Sequence, residues 1–352
     1  MTRIVVLDGH VLNPGDLSWD GLAELGDLTV HQRTDPEDVA GRLTGYDCAL
    51  TNKTVLGKTV LSGATTLKYV GVLATGYDVV DLAAARSLGL AVTNVPAYGS
   101  ATVAQFAIGL LLEICHRIGH HDHAVHQGAW QDGQDWCFWD YPQVELAGKT
   151  LGLIGYGRIG QTTARIAQAL GMRTIAYDPA FGELPGTSPT RQDTSRPQSE
   201  PATSGPATDL AADPASHPWP GPAERSTLPD LLTQSDFIAL HCPLRPDTKE
   251  LINQETIALM KDGVILINNA RGQLVAESDL AAALNSGKVA AAGLDVMADE
   301  PIRPGNPLLT ARNCLITPHI SWASRESRGR LLEIAVNNLR QFLAGRPVNL
   351  VS

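Results

Sequence analysis

The stretch Thr150-Leu-Gly-Leu-Ile-Gly155-Tyr-Gly157-Arg-Ile-Gly160, followed by Tyr177-Asp178, constrains this chain more than any other feature. It reads as a short buried strand, a glycine-rich turn, an amphipathic helix, a second strand and then one carboxylate, the order a dinucleotide needs. Gly155 lets the backbone turn off the strand, Gly157 lets it approach a pyrophosphate, and Gly160 lets the helix pack close to the sheet. Unpaired N–H groups at the helix start suit the phosphates. Asp178 accepts hydrogen bonds from the ribose hydroxyls and repels a 2′-phosphate, which favours NAD over NADP. Glycine turns are common, so context decides. Residues 151–154 are short and apolar, and residues 161–172 carry Ala164, Ile166, Ala167 and Leu170 at helical spacing.

A chain of 352 residues exceeds one typical core and points to two domains. Hydrophobic content of 43% with 18% charged residues is ordinary for a soluble globular protein. The net charge of −10 and the lack of a basic stripe argue against nucleic acid as a partner. They leave room for a small anionic substrate held by one or two local cations. No run of about 18 apolar residues predicts a transmembrane helix, so no membrane partner is expected. The N-terminus starts at once with a strand and lacks a signal-peptide profile. Cys48, Cys115, Cys137, Cys242 and Cys314 are dispersed, odd in number and without a C-x-x-C pair, which fits a reduced, cytoplasmic protein.

Strands are predicted at residues 4–7, 28–31, 48–51, 69–73 and 91–94, with helices between them, for instance over 80–88. Such alternation implies a parallel sheet covered on both faces, with ligands beyond the carboxyl ends of its strands. The loop Leu73-Ala-Thr-Gly-Tyr-Asp78 lies at such an end. A long helix is predicted from Ser100 to Gly119, then an aromatic segment with Trp130, Trp136, Phe138, Trp139 and Tyr141. Strands follow at 237–241, 264–268 and 291–295, and a last helix runs from Arg325 to Leu343, where Gly345 and Pro347 stop it. Residues 181–226 are rich in Pro, Ser, Thr, Gly and Ala. Their composition predicts a disordered insertion after the second strand of the nucleotide unit.

Three polar residues each follow an apolar strand: Arg271, Glu300 and His319. Reduction of a keto acid needs a hydride on carbon and a proton on oxygen, and histidine is the natural proton donor near neutral pH. A neighbouring carboxylate favours the imidazolium, and an arginine grips a carboxylate two-pronged. The roles predicted are His319 as acid/base, Glu300 as its partner and Arg271 as substrate anchor. The histidines His116, His120, His121, His123 and His126 lack an acidic or thiol partner set nearby in sequence, so no metal is expected. Cys242 has no activating base, so a nucleophilic role is not expected.

These segments resemble the D-isomer-specific 2-hydroxyacid dehydrogenase family. The matching pieces are Gly155-Tyr-Gly-Arg-Ile-Gly160, Leu240-His-Cys-Pro-Leu244 with Thr248, Asn269-Ala-Arg-Gly-Gln-Leu-Val275, Gly293-Leu-Asp-Val296 with Glu300-Pro301, and Pro318-His319. Leu73-Ala-Thr-Gly-Tyr-Asp-Val-Val-Asp81, Asn94-Val-Pro-Ala-Tyr98, Cys137-Phe-Trp-Asp-Tyr-Pro142 and His319-Ile-Ser-Trp-Ala-Ser324 are most similar to its glycerate dehydrogenase (hydroxypyruvate reductase) branch. The resemblance implies an α/β fold of two Rossmann-like parallel-sheet domains, one flavodoxin-like and one dinucleotide-binding, with a cleft between them. Residues 1–99 and 319–352 would form the substrate domain and residues 100–318 the NAD-binding domain. It implies catalytic Arg271, Glu300 and His319, and a substrate carboxylate held by Arg271 and by the backbone of Ala74, Thr75 and Gly76. Cofactor contacts would come from Thr102, Gly155, Gly157, Arg158, Ile159, Gly160, Asp178, His241, Pro243, Thr248, Ala270 and Asp295. It further implies a homodimer embraced by the arm around 101–145. Trp136, Phe138 and Trp139 read as dimer packing, with reach of Trp139 into the partner's cleft as the alternative.

The activity expected is reduction of hydroxypyruvate or glyoxylate with NADH. Alternatives are another 2-keto acid, giving D-lactate or a bulkier D-2-hydroxy acid, and an NAD-sensing corepressor-like binding protein. Ala276 stands where many relatives carry an acidic residue, which predicts a weaker local helix start.

Overall fold

The structure is a computed structural model that describes residues 1–181 and 222–352. The disorder expected across 181–226 falls mostly on residues 182–221, outside the described residues. Among the described residues the strands form two sheets, and every strand pair is parallel. The chain divides into two units, Met1–Val103 with His319–Ser352, and Ala104–Pro318.

The first unit alternates β1 (Arg3–Val6), α1 (Asp20–Ala23), β2 (Asp27–Val30), α2 (Val39–Leu43), β3 (Cys48–Thr51), α3 (Lys58–Gly63), β4 (Tyr69–Val72), α4 (Leu82–Ser87) and β5 (Ala91–Thr93). Its sheet order is β2-β1-β3-β4-β5, the flavodoxin-like pattern. Successive side chains point to opposite faces of a strand, so Val5 joins one core while Ile4 and Val6 join the other.

The boundary between the units falls within α5 (Ser100–His116). The helix predicted to reach Gly119 ends at His116. Arg117 takes a left-handed backbone, φ 50°, and α6 (Ile118–His126) departs at 55°. The break is held by groups that local periodicity does not reveal. The Gly119 N–H donates to the Glu113 carboxylate at 3.3 Å, and the Arg117 guanidinium donates to Asn313 Oδ1 at 3.1 Å. No single helix among the described residues is long and apolar enough to cross a membrane.

The second unit continues with β6 (Thr150–Ile154), α7 (Arg158–Ala169), β7 (Arg173–Tyr177), β8 (Glu224–Arg225), α8 (Leu228–Gln234), β9 (Phe237–Leu240), α9 (Gln254–Leu259), β10 (Val264–Asn268), α10 (Glu277–Ser286), β11 (Val289–Leu294) and β12 (Cys314–Ile316). The sheet order is β12-β11-β10-β9-β6-β7-β8. The chain leaves β6 for β7 on one side and returns as β9 on the other, and parallel sheets bind ligands at such a reversal. Leu151, Leu153, Phe237, Ala239, Ile265 and Ile267 pack on one face, and Ile154, Ile238, Leu240, Val264 and Leu266 on the other. Short edge strands β8 and β12 carry too few residues for a periodic signal. Glu224 and Arg225 pair with Ile175 and Ala176, so the end of the expected insertion lies in the sheet.

The last helix, α11 (Arg325–Leu343), returns to the first unit and covers its sheet with Leu331, Leu332, Ala335, Val336 and Leu339. Arg328, buried, grips the Asp16 carboxylate with two nitrogens at 2.7 and 2.6 Å and donates to the Leu12 carbonyl at 2.9 Å. The two-pronged pair holds the guanidinium further above, and the carboxyl below, its ordinary pKa.

Candidate active site

The turn between β6 and α7 is built around absent side chains. Gly155 has φ +97°, and a Cβ there would lie 2.5 Å from Cys242 N and 2.6 Å from His241 C. At Gly160 a Cβ would lie 2.3 Å from the Gly155 carbonyl oxygen, so the helix sits closer than any larger residue permits. Gly157 differs: a Cβ would meet nothing within 4 Å, so its backbone borders open space. No side chain caps α7, which leaves its first N–H groups for a ligand. The half-buried Asp178 accepts from Tyr156 N at 2.7 Å through Oδ2 and from Ala180 N at 2.9 Å through Oδ1. Its carboxylate is thus fixed over the glycine turn. An open cradle, a free helix N-terminus and an oriented carboxylate fit a dinucleotide. Arg158, exposed, and Ile159, half-buried, open α7 beside them, and Thr102 is half-buried in the first turn of α5.

At the end of β9, His241 N donates to the Ile154 carbonyl at 2.8 Å. Both ring nitrogens of His241 are buried and make no hydrogen bond among the described residues. Burial lowers the imidazole pKa to about 4, so the ring is neutral at physiological pH. Thr248 Oγ1 donates to the Pro243 carbonyl at 2.8 Å and accepts from Arg245 N at 2.7 Å, which closes the loop that carries Pro243. Burial pushes the Cys242 thiol up to about 11, and those of Cys48 and Cys314 to about 12, so none of these is a ready nucleophile.

Asn268, at the end of β10, shapes the next turn. Its Oδ1 accepts from Ala270 N at 3.1 Å and its Nδ2 donates to the Arg271 carbonyl at 2.9 Å. The half-buried Arg271 guanidinium donates to the Ala270 carbonyl at 2.6 Å. Gly272 follows, and a Cβ there would lie 1.9 Å from Met297 C. Only glycine lets the Arg271 turn rest on the backbone of Met297 and Ala298. Gln273 Nε2 adds a bond to the Ala298 carbonyl at 2.8 Å, and Glu300 Oε1 accepts from Met297 N at 3.1 Å. The second unit therefore brings the loops of Arg271 and Glu300 together. Asp295, fully buried, donates its N–H to the Asn268 carbonyl at 2.9 Å and accepts from Thr317 Oγ1 at 2.6 Å.

Sequence reasoning missed Gly272, Asn268 and Glu277. The Glu277 carboxylate accepts from Ala298 N at 2.8 Å and Asn306 Nδ2 at 2.7 Å, anchoring the Glu300 loop. Ala276 occupies the N-cap of α10 without a side-chain bond, as expected for that substitution, yet the helix starts there.

The first unit carries the other groups. His319 adopts φ 55°, a left-handed conformation more accessible to histidine than to most residues. Its carbonyl accepts from Trp322 Nε1 at 2.8 Å, a role for Trp322 that the sequence does not disclose. In the loop after β4, the carbonyls of Leu73, Ala74 and Thr75 accept from Asn52 Nδ2 at 2.7 Å, Val95 N at 3.0 Å and Asn94 Nδ2 at 2.8 Å. Among the described residues the N–H groups of Ala74, Thr75 and Gly76 make no hydrogen bond. The Ala74 and Thr75 carbonyls are both held from the β5 side and the Leu73 carbonyl from the β3 side, so planar peptides turn the Thr75 and Gly76 N–H groups one way and the Ala74 N–H the other.

Two histidines of α6 meet the segment that follows the helix. His120 Nε2 lies 2.6 Å from Asp140 Oδ2, His121 Nε2 accepts from Asp140 N at 3.2 Å, and His120 meets Tyr141 edge-on. Asp140, twenty positions on in sequence, is the acidic partner that local spacing hides. Among the described residues no group of three His, Cys, Asp or Glu suits a metal. Trp130, Trp136 and Trp139 are 51%, 86% and 66% exposed within one chain.

Comparison with known proteins follows the same division. The family model "D-isomer specific 2-hydroxyacid dehydrogenase, NAD binding domain" matches residues 108–190 and 210–321. The chain is 53% identical to a hydroxypyruvate reductase of Blautia hydrogenotrophica over 99% of both chains. It superposes on the TT0316 protein of Thermus thermophilus with a TM-score of 0.78 at 32% identity, covering 100% of each. An NADPH-dependent glyoxylate/hydroxypyruvate reductase from Sinorhizobium meliloti gives 0.76 at 25% identity, over 100% of this chain and 98% of that one.

Proposed function

The chain belongs to the D-isomer-specific 2-hydroxyacid dehydrogenase family, and from that premise we propose that it reduces hydroxypyruvate or glyoxylate to the D-2-hydroxy acid with NADH. It is a dinucleotide-dependent oxidoreductase acting on a small 2-keto or 2-hydroxy acid. When bound, the reduced nicotinamide supplies a hydride to the keto carbon. His319 donates the proton to the keto oxygen, Glu300 orients the imidazole and favours its charged form, and Arg271 pairs with the substrate carboxylate and polarises the carbonyl. The observation that carries the substrate reading is the 53% identity to a hydroxypyruvate reductase over 99% of both chains. The backbone N–H groups of residues 74–76 and the Arg271 guanidinium are donors of the kind a carboxylate takes, which suits a 2-keto monocarboxylate.

Asp178 supports NADH over NADPH, because a carboxylate already fixed at the end of β7 repels a 2′-phosphate. The remaining cofactor contacts are assigned to Thr102, Gly155, Gly157, Arg158, Ile159, Gly160, His241, Pro243, Thr248, Ala270 and Asp295. The exposed tryptophans of the 130–141 segment support a homodimer, since large apolar side chains left in water by one chain favour burial against a second. Five free cysteines suit a cytoplasmic, reducing location.

The test is NADH and NADPH oxidation with hydroxypyruvate, glyoxylate, pyruvate and 3-phosphohydroxypyruvate in parallel. The proposal expects the first two to have the highest kcat/KM, with NADH preferred. A higher kcat/KM for pyruvate or the phosphorylated acid overturns the substrate assignment.

A further inference from the structure

We propose that Glu277 is a positioning residue for the reaction: its one carboxylate closes both ends of the loop that carries Glu300 and thereby sets where Glu300 stands. The proposal rests on the role given above to Glu300. At the start of the loop Ala298 N donates to Glu277 Oε1 at 2.8 Å, and at its end Asn306 Nδ2 donates to Glu277 Oε2 at 2.7 Å. Between these points the chain folds back, with Asn306 N donating to the Arg303 carbonyl at 3.2 Å. Asn306 Oδ1 accepts from Leu308 N at 3.0 Å, so its amide nitrogen is the atom left to face Glu277. Ala298 is gripped on its other side as well, because Gln273 Nε2 donates to its carbonyl at 2.8 Å. Glu300 is exposed, so packing does little to place its side chain. Its Oε1 accepts from Met297 N at 3.1 Å, next to Ala298, so a shift of this backbone passes directly to the Glu300 carboxylate.

The base of this clamp is itself held. Residues 273–276 run beside residues 250–252: Glu250 N donates to the Gln273 carbonyl at 2.8 Å, Ile252 N to the Leu274 carbonyl at 3.0 Å and Ala276 N to the Ile252 carbonyl at 2.8 Å. Leu274 and Val275, which separate Gln273 from Glu277 in sequence, are buried. Glu277 opens α10, where the helix dipole favours a carboxylate. Both its oxygens turn to the Glu300 loop, whereas Asp279, in the same turn of helix, serves another loop by accepting from Gln254 N at 2.9 Å. Each Glu277 oxygen meets a donor, and an ionised carboxylate accepts at both ends. Glutamine in its place has one acceptor and one donor, so whichever way it turns it sets a donor against a donor.

The experiment compares Glu277→Gln, Glu300→Gln, the two together, and Glu277→Gln with Asn306→Asp, reading kcat and KM for the best 2-keto acid of the panel above, Kd for NADH and the melting temperature. Glu277→Gln is expected to lower kcat about tenfold with KM and the NADH Kd within about twofold, since displacing a group that acts in the transition state costs rate rather than ground-state binding. Glu300→Gln is expected to lower kcat about 100-fold. Adding Glu277→Gln to it should cost less than about a further twofold, because a residue that acts through Glu300 then has nothing left to position. Asn306→Asp offers an acceptor to the new amide while still accepting from Leu308 N, so the Glu277→Gln, Asn306→Asp pair is expected to return kcat to within about threefold of wild type. A merely structural role would lower the melting temperature and leave the two losses in kcat multiplicative. A full tenfold loss in the Glu300→Gln background, an equal loss of NADH affinity, or no recovery in the Asn306→Asp pair overturns the proposal. Wild-type kcat in Glu277→Gln beside a reduced kcat in Glu300→Gln overturns it and leaves the role of Glu300 standing. Wild-type kcat in Glu300→Gln removes that role and the proposal together. Should Glu277→Gln not fold, Gln273→Ala loosens the other side of Ala298 and is read against the same kcat, NADH and Glu300→Gln outcomes.

Discussion

Gly155 and Gly157 are two residues apart in one turn, yet adding a methyl to each tests different things. At Gly155, alanine must accept φ +97°, which costs about 1–2 kcal/mol for a residue with a Cβ. Its methyl would also lie 2.5 Å from Cys242 N, 2.6 Å from His241 C and 2.7 Å from His241 O, all backbone atoms that move only with the end of β9. Forced overpacking of this kind adds about 1–3 kcal/mol. Gly155→Ala should therefore lose about 2–5 kcal/mol, and at about 2–4 °C per kcal/mol its melting point should fall well below wild type. Gly157 has φ −73°, which alanine adopts freely, and open space around its Cβ. Gly157→Ala should stay within about 1 kcal/mol of wild type in stability. Its methyl instead fills space assigned to the pyrophosphate, so NADH affinity should fall at least about tenfold, equivalent to about 1.4 kcal/mol. Thermal melts and NADH fluorescence titrations of both variants read the contrast. Wild-type NADH affinity in Gly157→Ala, or equal stability losses in the two variants, would refute the reasoning.

Asp178→Ser should narrow the NADH preference by about 20-fold. That follows from about 1.7 kcal/mol for a carboxylate about 5 Å from a doubly charged phosphate in a water-like dielectric. An unchanged NADH/NADPH ratio of kcat/KM counts against the ribose role. His241 stays neutral in the folded protein down to about pH 4, while the unfolded imidazole protonates near 6.5. The unfolded chain binds more protons in that window, so this contribution is full above pH 6.5 and lost as pH falls to 4, amounting to about 3 kcal/mol. Denaturant melts of His241→Gln should show a shallower acid decline than wild type, and parallel curves would disprove it. Iodoacetamide at neutral pH should leave buried Cys48, Cys115 and Cys242 unmodified in the native state. Fast labelling of Cys242, read by peptide mass, would contradict its raised pKa.

The glycine turn, most of the strands and α11 were legible because each rests on local pattern: apolar runs, punctuating glycines and a single carboxylate after the second strand. The family and the alternation of two parallel sheets followed from motifs that stay within a few residues of one another. What was hidden depends on distant partners. The break at Arg117 is held by Asn313, and His120 and His121 of α6 are engaged by Asp140 and Tyr141. Strands β8 and β12 are too short to show a period. Arg271 stood out as a cation after a strand, but Gly272 and Glu277, which hold its loop and that of Glu300, look like an ordinary turn and an ordinary helix start.

The proton donor is the part of the mechanism on which the proposed activity depends most. The rate of NADH oxidation by hydroxypyruvate should be measured for wild type and His319→Ala at saturating substrate. Loss of a general acid is expected to lower kcat by about 10²–10⁴-fold while NADH affinity stays within about twofold. A variant that turns over within tenfold of wild type would show that another group delivers the proton.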